Sequence, residues 1–580
     1  MTGKREVYKG LALVPGLLFA ALFFTACEKG VNPAAENRDL CLAEVTPIST
    51  IQGNHWESPL RDNYQLTSGV VTHVDPESGY FIEHGGNSQA PDASRALFVE
   101  AHDATGNIEP GQRVAVGGRV VERGSRRDTM TTLADVDRFT VCGSGLPLPL
   151  TRAALPLSSV QRESFEGMRL EFRQELHVSD VYSNYRGKLM LSARSALRVP
   201  TEDMPPGEVA DSQARDNRAL SINVYNAAFE SSPIAAGSRI EKAAGVMGHD
   251  GREQWLLLSS HEWVAEKSPD PVTAAPSGSL RVVNANLLNY FNGDGRGGGF
   301  PNERGAETRR ELERQEQRIR AAMGQIRPDL LAVQELENDG FAANSAAQSL
   351  VALLNDSGNG DYAVVRAPGD RLGSDVITVG LFYRKQALEA VGPSHTLDAA
   401  PFRGLSRQPL AQVFRDRASG KTFLIAANHL KSKGSCPESG PNTRQNDGQG
   451  CWNRARLESV QALAPWLEQL AREAGTQRIL VFGDMNAYRM EDPVRAFRAA
   501  GYTELVESLS GLPQYSYRFF GQAGTLDYAF ASPALAGIAR QARIWHINSD
   551  WPQEMDLPEP WLRMSDHDPV IVDLDFGHNP

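Results

Sequence analysis

The sequence predicts an α+β protein: a four-layered α/β/β/α sandwich at the C-terminal end, preceded by two β-rich units. Three observations lead there. Over residues 279–577, short apolar runs that end in polar side chains alternate with two amphipathic helical stretches. Over residues 41–267, strand-like alternation is interrupted by turn residues. At 580 residues and 41% hydrophobic content, the chain is long enough, and apolar enough, for several cores.

The first element is a targeting segment, residues 1–27. Lys4, Arg5 and Lys9 form a positive start, and residues 11–24 are an apolar run too short to cross a membrane but suited to a signal peptide. Thr25-Ala26-Cys27 reads as a lipoprotein cleavage site, with Cys27 as the lipid-carrying N-terminus. Phe24 stands where a leucine-like residue is usual, so plain secretion with cleavage near Ala26 is the alternative. Glu28, rather than Asp, after the cysteine is compatible with outer-membrane sorting. The expectation is an exported protein, anchored at the outer membrane or cell surface by its lipid, or otherwise secreted. Residues 28–40 read as a tether.

Five cysteines fit that compartment. With Cys27 set aside, Cys41 and Cys142 bracket the first β-rich unit, residues 41–145. Cys436 and Cys451 bracket a polar, glycine- and proline-containing loop. Both pairs are predicted disulfides, the second pinning a segment too polar to pack itself. A zinc site is discounted because no Cys-x-x-Cys spacing occurs.

Strand candidates in the first unit are residues 64–72 and 113–121. A second β-rich unit, residues 150–267, has candidates at 168–172 and 254–258, with a polar, loop-rich stretch expected at 200–235. Residues 268–278, proline-containing, read as a linker into the C-terminal unit, 279–577.

That last unit carries six polar strings at strand ends. Val283-Asn284-Ala285-Asn286 bears amides, and Val333-Gln334-Glu335 closes an apolar run with an acid. Ala427-Asn428-His429 closes another with an imidazole, and Lys431 and Lys433 follow. Gly483-Asp484-Met485-Asn486 follows a run ending at Phe482; Leu526-Asp527-Tyr528 sets a carboxylate between apolar neighbours; Ser565-Asp566-His567-Asp568-Pro569 precedes Val570-Ile571-Val572. Taken singly, Gly483-Asp484-Met485-Asn486 reads better as a polar turn and His429 as a structural imidazole, while Glu335 reads equally well as a helix-capping acid. Six together read as one site, because strand-end loops are where catalytic groups are mounted. Carboxylate and amide oxygens suit a hard divalent cation, and an imidazole moves protons near neutral pH. Asp527 in apolar company needs a partner. Between the strings lie two helices. Residues 307–326 carry Arg309, Arg310, Arg314, Arg318 and Arg320 among acids and predict a solvated, salt-bridged face; 452–473 carry Leu457, Val460, Leu463 and Leu467 on one stripe.

In their order along residues 279–577, the six strings resemble the endonuclease/exonuclease/phosphatase superfamily of metal-dependent phosphoesterases, which includes the pancreatic-type deoxyribonucleases. Bacterial extracellular endonucleases with β-domains ahead of the catalytic domain are the nearest pattern. The resemblance implies Asn286, Glu335 and Asp566 at the metal; Asn286 is preferred over Asn284 because residues 287–291 then fall in the family register. It implies His429, Asp484, Asn486, Asp527 and His567 as catalytic residues: His429 on the scissile phosphate, Asp484 and Asn486 positioning water and phosphate, Asp527 orienting His567, and His567 as acid/base. Whether Asp484 or His567 is the base stays open. Asp375 is the candidate acid behind His429, and Arg407, Lys431 and Lys433, with Arg444, are candidates for a basic cleft that binds substrate. The implied cofactor is Mg²⁺, with Mn²⁺ suiting the same oxygens and Ca²⁺ a structural ion.

The resemblance also implies OB-fold-like front barrels, a fold that binds single strands through basic grooves and aromatic platforms. Arg119, Arg123, Arg126 and Arg127 with Tyr80 and Phe81 are the candidates, against the simpler reading of a solvated hairpin. A net charge of −12 argues against tight sequence-independent binding by the whole surface. The implied activity is hydrolysis of DNA, and of RNA as a further substrate, by a monomer held to a membrane by its lipid. The alternatives are a phosphatase or phospholipid phosphodiesterase on the same scaffold, and a non-catalytic surface-binding lipoprotein.

Overall fold

The computed structural model describes residues 40–85, 92–101, 107–125, 128–249, 254–511, 514–553 and 555–577. The targeting segment and Cys27 lie outside them, as do Arg126 and Arg127. Among the described residues no helix is long and apolar enough to cross a membrane.

Alternating apolar residues in Tyr64–Asp75, Gly79–Glu83, Ala96–Glu100, Arg113–Ser125 and Asp128–Gly143 close these strands into a barrel. Around the barrel the order is first, second, third, fifth, fourth. Val71, Ile82, Leu97, Val116 and Leu133 fill its inside, and closure removes the exposed sheet edges. The Cys41–Cys142 disulfide ties the segment ahead of the barrel to its last strand. Tyr80 and Phe81 are buried, and Arg119 and Arg123 are paired with Asp135 at 2.7 Å and Glu100 at 2.6 Å. Of the candidate groups that are described, the two rings are therefore buried and the two arginines neutralised.

The barrel leans on the second unit through Phe81, Phe98 and Met130 against Val246. That unit is a seven-stranded sheet around Phe165, Phe172, Leu176, Leu189 and Leu256. Its polar stretch is more regular than expected. Residues 200–235 contain the helix Glu208–Ala219 and the strand Ser221–Tyr225. The helix buries only Ala210 and Asn217, so its sequence carries almost no apolar stripe to read.

In the C-terminal unit two six-stranded sheets stack face to face. One runs in the order Tyr362–Val364, Ile377–Arg384, Leu330–Glu337, Leu280–Tyr290, Val570–Leu574, Ala539–Ile544. The other runs Leu388–Thr396, Arg407–Asp416, Thr422–His429, Ile479–Asp484, Asp527–Ala531, Thr503–Glu504. Strand alternation divides three cores. Leu280, Val282, Leu330, Ala332, Phe423, Ile425, Leu480 and Phe482 pack between the sheets. Val283, Ala285, Leu331 and Val333 pack outward on Ile319, Met323 and Leu350. Leu424, Ala426 and Val481 pack outward on Val460, Leu463 and Leu467.

The helices are Arg309–Ile326, capped by Thr308 Oγ1 accepting from Glu311 N at 3.2 Å, and Asn453–Glu473. The arginine-rich helix is only partly a solvated face. Arg309 pairs with Glu313 at 2.8 Å, but the Arg318 guanidinium donates to the carbonyls of Gln553, Met555 and Arg563 at 3.0 to 3.2 Å. It thereby clamps the loop that leads to Asp566.

Candidate active site

Sheet register assembles most of the site. In the second sheet Arg407 pairs with His429, His429 with Asp484, and Asp484 with Asp527. Four consecutive strands therefore end in one row. Parity aims that row at the gap between the sheets, because His429 follows Phe423, Ile425 and Ala427, and Asp484 follows Leu480 and Phe482. Asn286 reaches the same gap from the other sheet, following Leu280 and Val282.

Glu335 has the wrong parity and arrives by a bulge. Leu331 and Val333 point outward, so residue 335 would too. Instead Glu335 takes a left-handed φ of 58°, the pairing with the neighbouring strands shifts there, and Leu336 fills the outward place. A bulge that re-aims a side chain beside a functional site is a known use of the motif. The turned carboxylate accepts from Asn286 Nδ2 at 3.3 Å and from Asn289 N at 3.0 Å.

The last string folds over this gap. His567 Nδ1 and Asp527 Oδ2 are 2.7 Å apart. The imidazole's other nitrogen, Nε2, lies 4.0 Å from Asp484 Oδ2, which is also 3.6 Å from His429 Nε2. Asn486, with a left-handed φ of 48°, donates from its side-chain amide to Leu430 O at 3.1 Å and from its backbone to Asp484 Oδ1 at 2.8 Å. Asp568 is structural: it accepts from Asn548 N at 2.7 Å and Ser549 N at 3.1 Å.

The charges are out of balance. Burial raises the Asp484 carboxyl to about 7, against the pull of His567. Glu335 is raised by burial and then by the charge of Asp566. For His567 burial lowers the value, but Asp527, Asp566 and Asp484 together outweigh it, and the imidazole is held well above its ordinary range. His429 is pushed well below its range by burial, then by Arg407 and His567. Its buried Nδ1 has no hydrogen-bond partner among the described residues.

A divalent cation fits the Glu335 side of this pocket. Glu335 and Asp566 press on each other electrostatically, and Glu335 is already oriented by two N–H donors. Hard oxygen donors with unbalanced charge suit such an ion. Asp484, Asp527 and His567 also converge within 4.8 Å. There the short His567–Asp527 contact occupies Nδ1, so that trio reads as proton-handling groups.

Two expected residues are placed differently. Asp375 does not stand behind His429; it faces Arg407, Nε to Oδ2 3.0 Å. Lys433 is bound to Glu491 at 2.5 Å and to Gln449 O at 2.7 Å, and burial pushes its amine down to about 8. It fastens the loop closed by the Cys436–Cys451 disulfide. Lys431 lies over the Trp452 ring at 5.1 Å, Arg407 stands in the strand-end row, and Arg444 is exposed.

Sequence reasoning missed residues 515–518. Ser516 Oγ accepts from Leu526 N at 3.0 Å and Asp527 N at 3.1 Å, fixing the Asp527 strand end. The Tyr517 ring lies 4.5 Å from the His567 ring. The available signal was the aromatic density of Tyr515-Ser516-Tyr517-Arg518-Phe519-Phe520 in a stretch with no apolar period.

Among known proteins, residues 284–567 match the model of the Endonuclease/Exonuclease/phosphatase family. A deoxyribonuclease of Thioalkalivibrio sp. (strain K90mix) is 24% identical over 269 residues, 42% of this chain. The match spans 62% of that relative's length. Among solved structures, the human Nocturnin catalytic domain with bound sulfate is 20% identical, with a TM-score of 0.34, covering 52% of this chain and 95% of that one. A mannosyl-6-phosphatase of Bacteroides thetaiotaomicron is 18% identical, with a TM-score of 0.35, covering 51% of this chain and all of its own.

Proposed function

Because the chain carries an endonuclease/exonuclease/phosphatase-family domain over residues 284–567, we propose that it is a divalent-metal-dependent phosphodiesterase that hydrolyses DNA, and RNA as a further substrate, outside the cytoplasm. The observation that carries this reading is the row Arg407, His429, Asp484, Asp527 with the His567–Asp527 pair closed over it at 2.7 Å.

Glu335, Asp566 and Asn286 would hold Mg²⁺, which supplies charge neutralisation at the anionic phosphodiester when bound. The remaining work falls to the chain's own groups. Asp527 fixes the His567 tautomer through Nδ1 and leaves Nε2 for proton transfer, the logic of an acid behind a catalytic imidazole. His567 Nε2 and Asp484 Oδ2, 4.0 Å apart, bracket the proton's path. One, unprotonated, takes a proton as water attacks phosphorus, and the other, already protonated, gives its own proton to the leaving oxygen as the P–O bond breaks. Asn486 and His429 Nε2 donate to the phosphate oxygens, each such donor being worth about 10²–10³ in rate. Arg407 adds fixed positive charge at the end of the row.

Export is part of the proposal. Two disulfides are formed, which favours an oxidising compartment, and residues 1–27 read as a lipoprotein signal.

The test is purified protein with plasmid DNA, RNA, a nucleotide monophosphate and sphingomyelin, each with Mg²⁺ and with EDTA. Cleavage of DNA that EDTA abolishes is expected. Turnover of the monophosphate or the lipid alone would replace the diesterase reading with the corresponding activity. No turnover of any substrate would overturn it.

A further inference from the structure

We propose that Phe519, Phe520 and Tyr182 form a stacking platform for an unpaired nucleobase of the strand being cut, which makes single-stranded nucleic acid the preferred substrate. This rests on the phosphodiesterase reading above and names its substrate class.

Three exposed rings flank Tyr517: Phe519 and Phe520 touch each other on its hairpin, and Tyr182 lines the cleft it shares with Asp566. Phe519 is 53% exposed, Phe520 68% and Tyr182 66%. Among the described residues of 279–577, Leu509 is the only other large hydrophobic side chain so exposed. The rings continue outward from the imidazole. Tyr517 lies 4.5 Å from His567, Phe519 lies 6.5 Å from Tyr517 and near-parallel to it at 19°, and Phe520 lies 4.5 Å from Phe519, edge-on at 69°. Tyr182, from the second unit, lines the same cleft as Tyr517, Arg563 and Asp566.

The presentation is built. Phe519 and Phe520 cap a hairpin, Tyr517–Phe519 with Gln522–Gly524, whose turn residues Phe520 and Gly521 have φ of 47° and 70°. Such a turn favours Asn or Gly at both positions, and a bulky aromatic with positive φ is an outlier. The hairpin is also locked. Gly521 N donates to Asp180 Oδ2 at 2.8 Å, and a Cβ at Gly521 would meet Met190 Sδ at 2.6 Å. Leu197–Arg198 pairs alongside as a third strand. A strained, rigid hairpin that carries two solvated phenyl rings outward from the Tyr517 ring beside the acid/base histidine suits a flat π-face. An unstacked base supplies one, whereas duplex bases are already stacked.

The experiment compares wild type with Phe519→Ala/Phe520→Ala and, separately, Tyr182→Ala. Substrates are a single-stranded oligonucleotide and the same backbone with abasic sugars throughout, both with Mg²⁺. The ratio of kcat/KM for the base-bearing over the abasic strand is expected to fall about tenfold in the double variant, through KM. An unchanged ratio overturns the proposal. Equal losses on both strands also overturn it, because the rings would then be reading sugar or phosphate. A second measurement needs no turnover: quenching of a 2-aminopurine-containing single strand by wild type in EDTA, expected to weaken in the double variant. Wild type that cleaves neither strand refutes the phosphodiesterase reading while quenching still reports on the platform. Absence of quenching by wild type refutes the platform itself.

Discussion

Two buried acidic clusters in the C-terminal unit resolve their charge in opposite ways. Asp550 is fully buried and ringed by fixed partners: Arg518 Nε at 2.5 Å, the Lys267 ammonium, and Tyr515 OH at 2.8 Å. Burial would raise its carboxyl, but Arg518 and Lys267 hold it well below the ordinary range. Asp484 is as buried, yet among the described contacts no lysine or arginine pairs with its carboxylate, only the imidazoles of His429 at 3.6 Å and His567 at 4.0 Å, and it sits at about 7. The first cluster closes on itself and, through Lys267, fastens the end of the second unit to the C-terminal unit. The second keeps its acids short of cationic partners, which makes it the one able to trade protons and hold an ion. At equal burial, the partners set the direction of the shift, down for the rivet and up for the working site.

The largest expected effect tests the working side. His567→Ala should lower hydrolysis of a single-stranded oligonucleotide by about 10²–10⁴, with the far-UV circular dichroism of the folded protein close to wild type. Retention of near-full activity would remove His567 from the chemistry and dissolve the contrast.

The complementary change tests the rivet. Asp550→Ala leaves the buried Arg518 and the half-buried Lys267 without their acid, a loss of about 3–5 kcal/mol for a broken buried pair. The expected result is a much lower urea midpoint with kcat of the folded fraction little changed. Lost activity at unchanged stability would reverse the two assignments.

Much of this contrast was legible before any coordinates. Asp484, Asp527 and His567 sit at strand ends announced by apolar runs, and strand parity aims the first two correctly. Glu335 was legible as an acid closing an apolar run, but parity pointed it away from the site, and only the bulge turns it in. The Asp550 cluster was invisible, because Lys267, Arg518 and Asp550 meet only when two units dock, and no local period marks a docking contact. Lys433 and Asp375 were misjudged for a related reason. Spacing shows that a charge is near a site, but not which opposite charge has already claimed it. The helix Glu208–Ala219 escaped because a polar helix with two buried residues has no stripe. The aromatic platform weighed against a solvated hairpin on the front barrel is not formed by Tyr80 and Phe81, which are buried in cores, while the exposed rings lie on a hairpin with no regular pattern.

A third acid sharpens the comparison at a smaller scale. Glu83 lies fully buried between barrel and second unit, accepting from Arg169 N at 2.9 Å, with Oε1 unpartnered among the described residues. Burial raises its carboxyl to about 7, as at Asp484, yet no strand-end row or imidazole accompanies it. A raised acid alone therefore does not mark a site. Being raised from its ordinary value of 4.5, Glu83 favours the fold while protonated. Its contribution is complete below that value and fades as pH climbs to about 7, by at most about 3 kcal/mol. Glu83→Gln imitates the protonated form and should remove that slope. Urea unfolding at pH 5 and pH 7.5 should show the variant gaining on wild type at the higher pH. An equal difference at both values would mean that Glu83 is ionised in the neutral fold, and burial would lose its place as the common cause of the two raised acids.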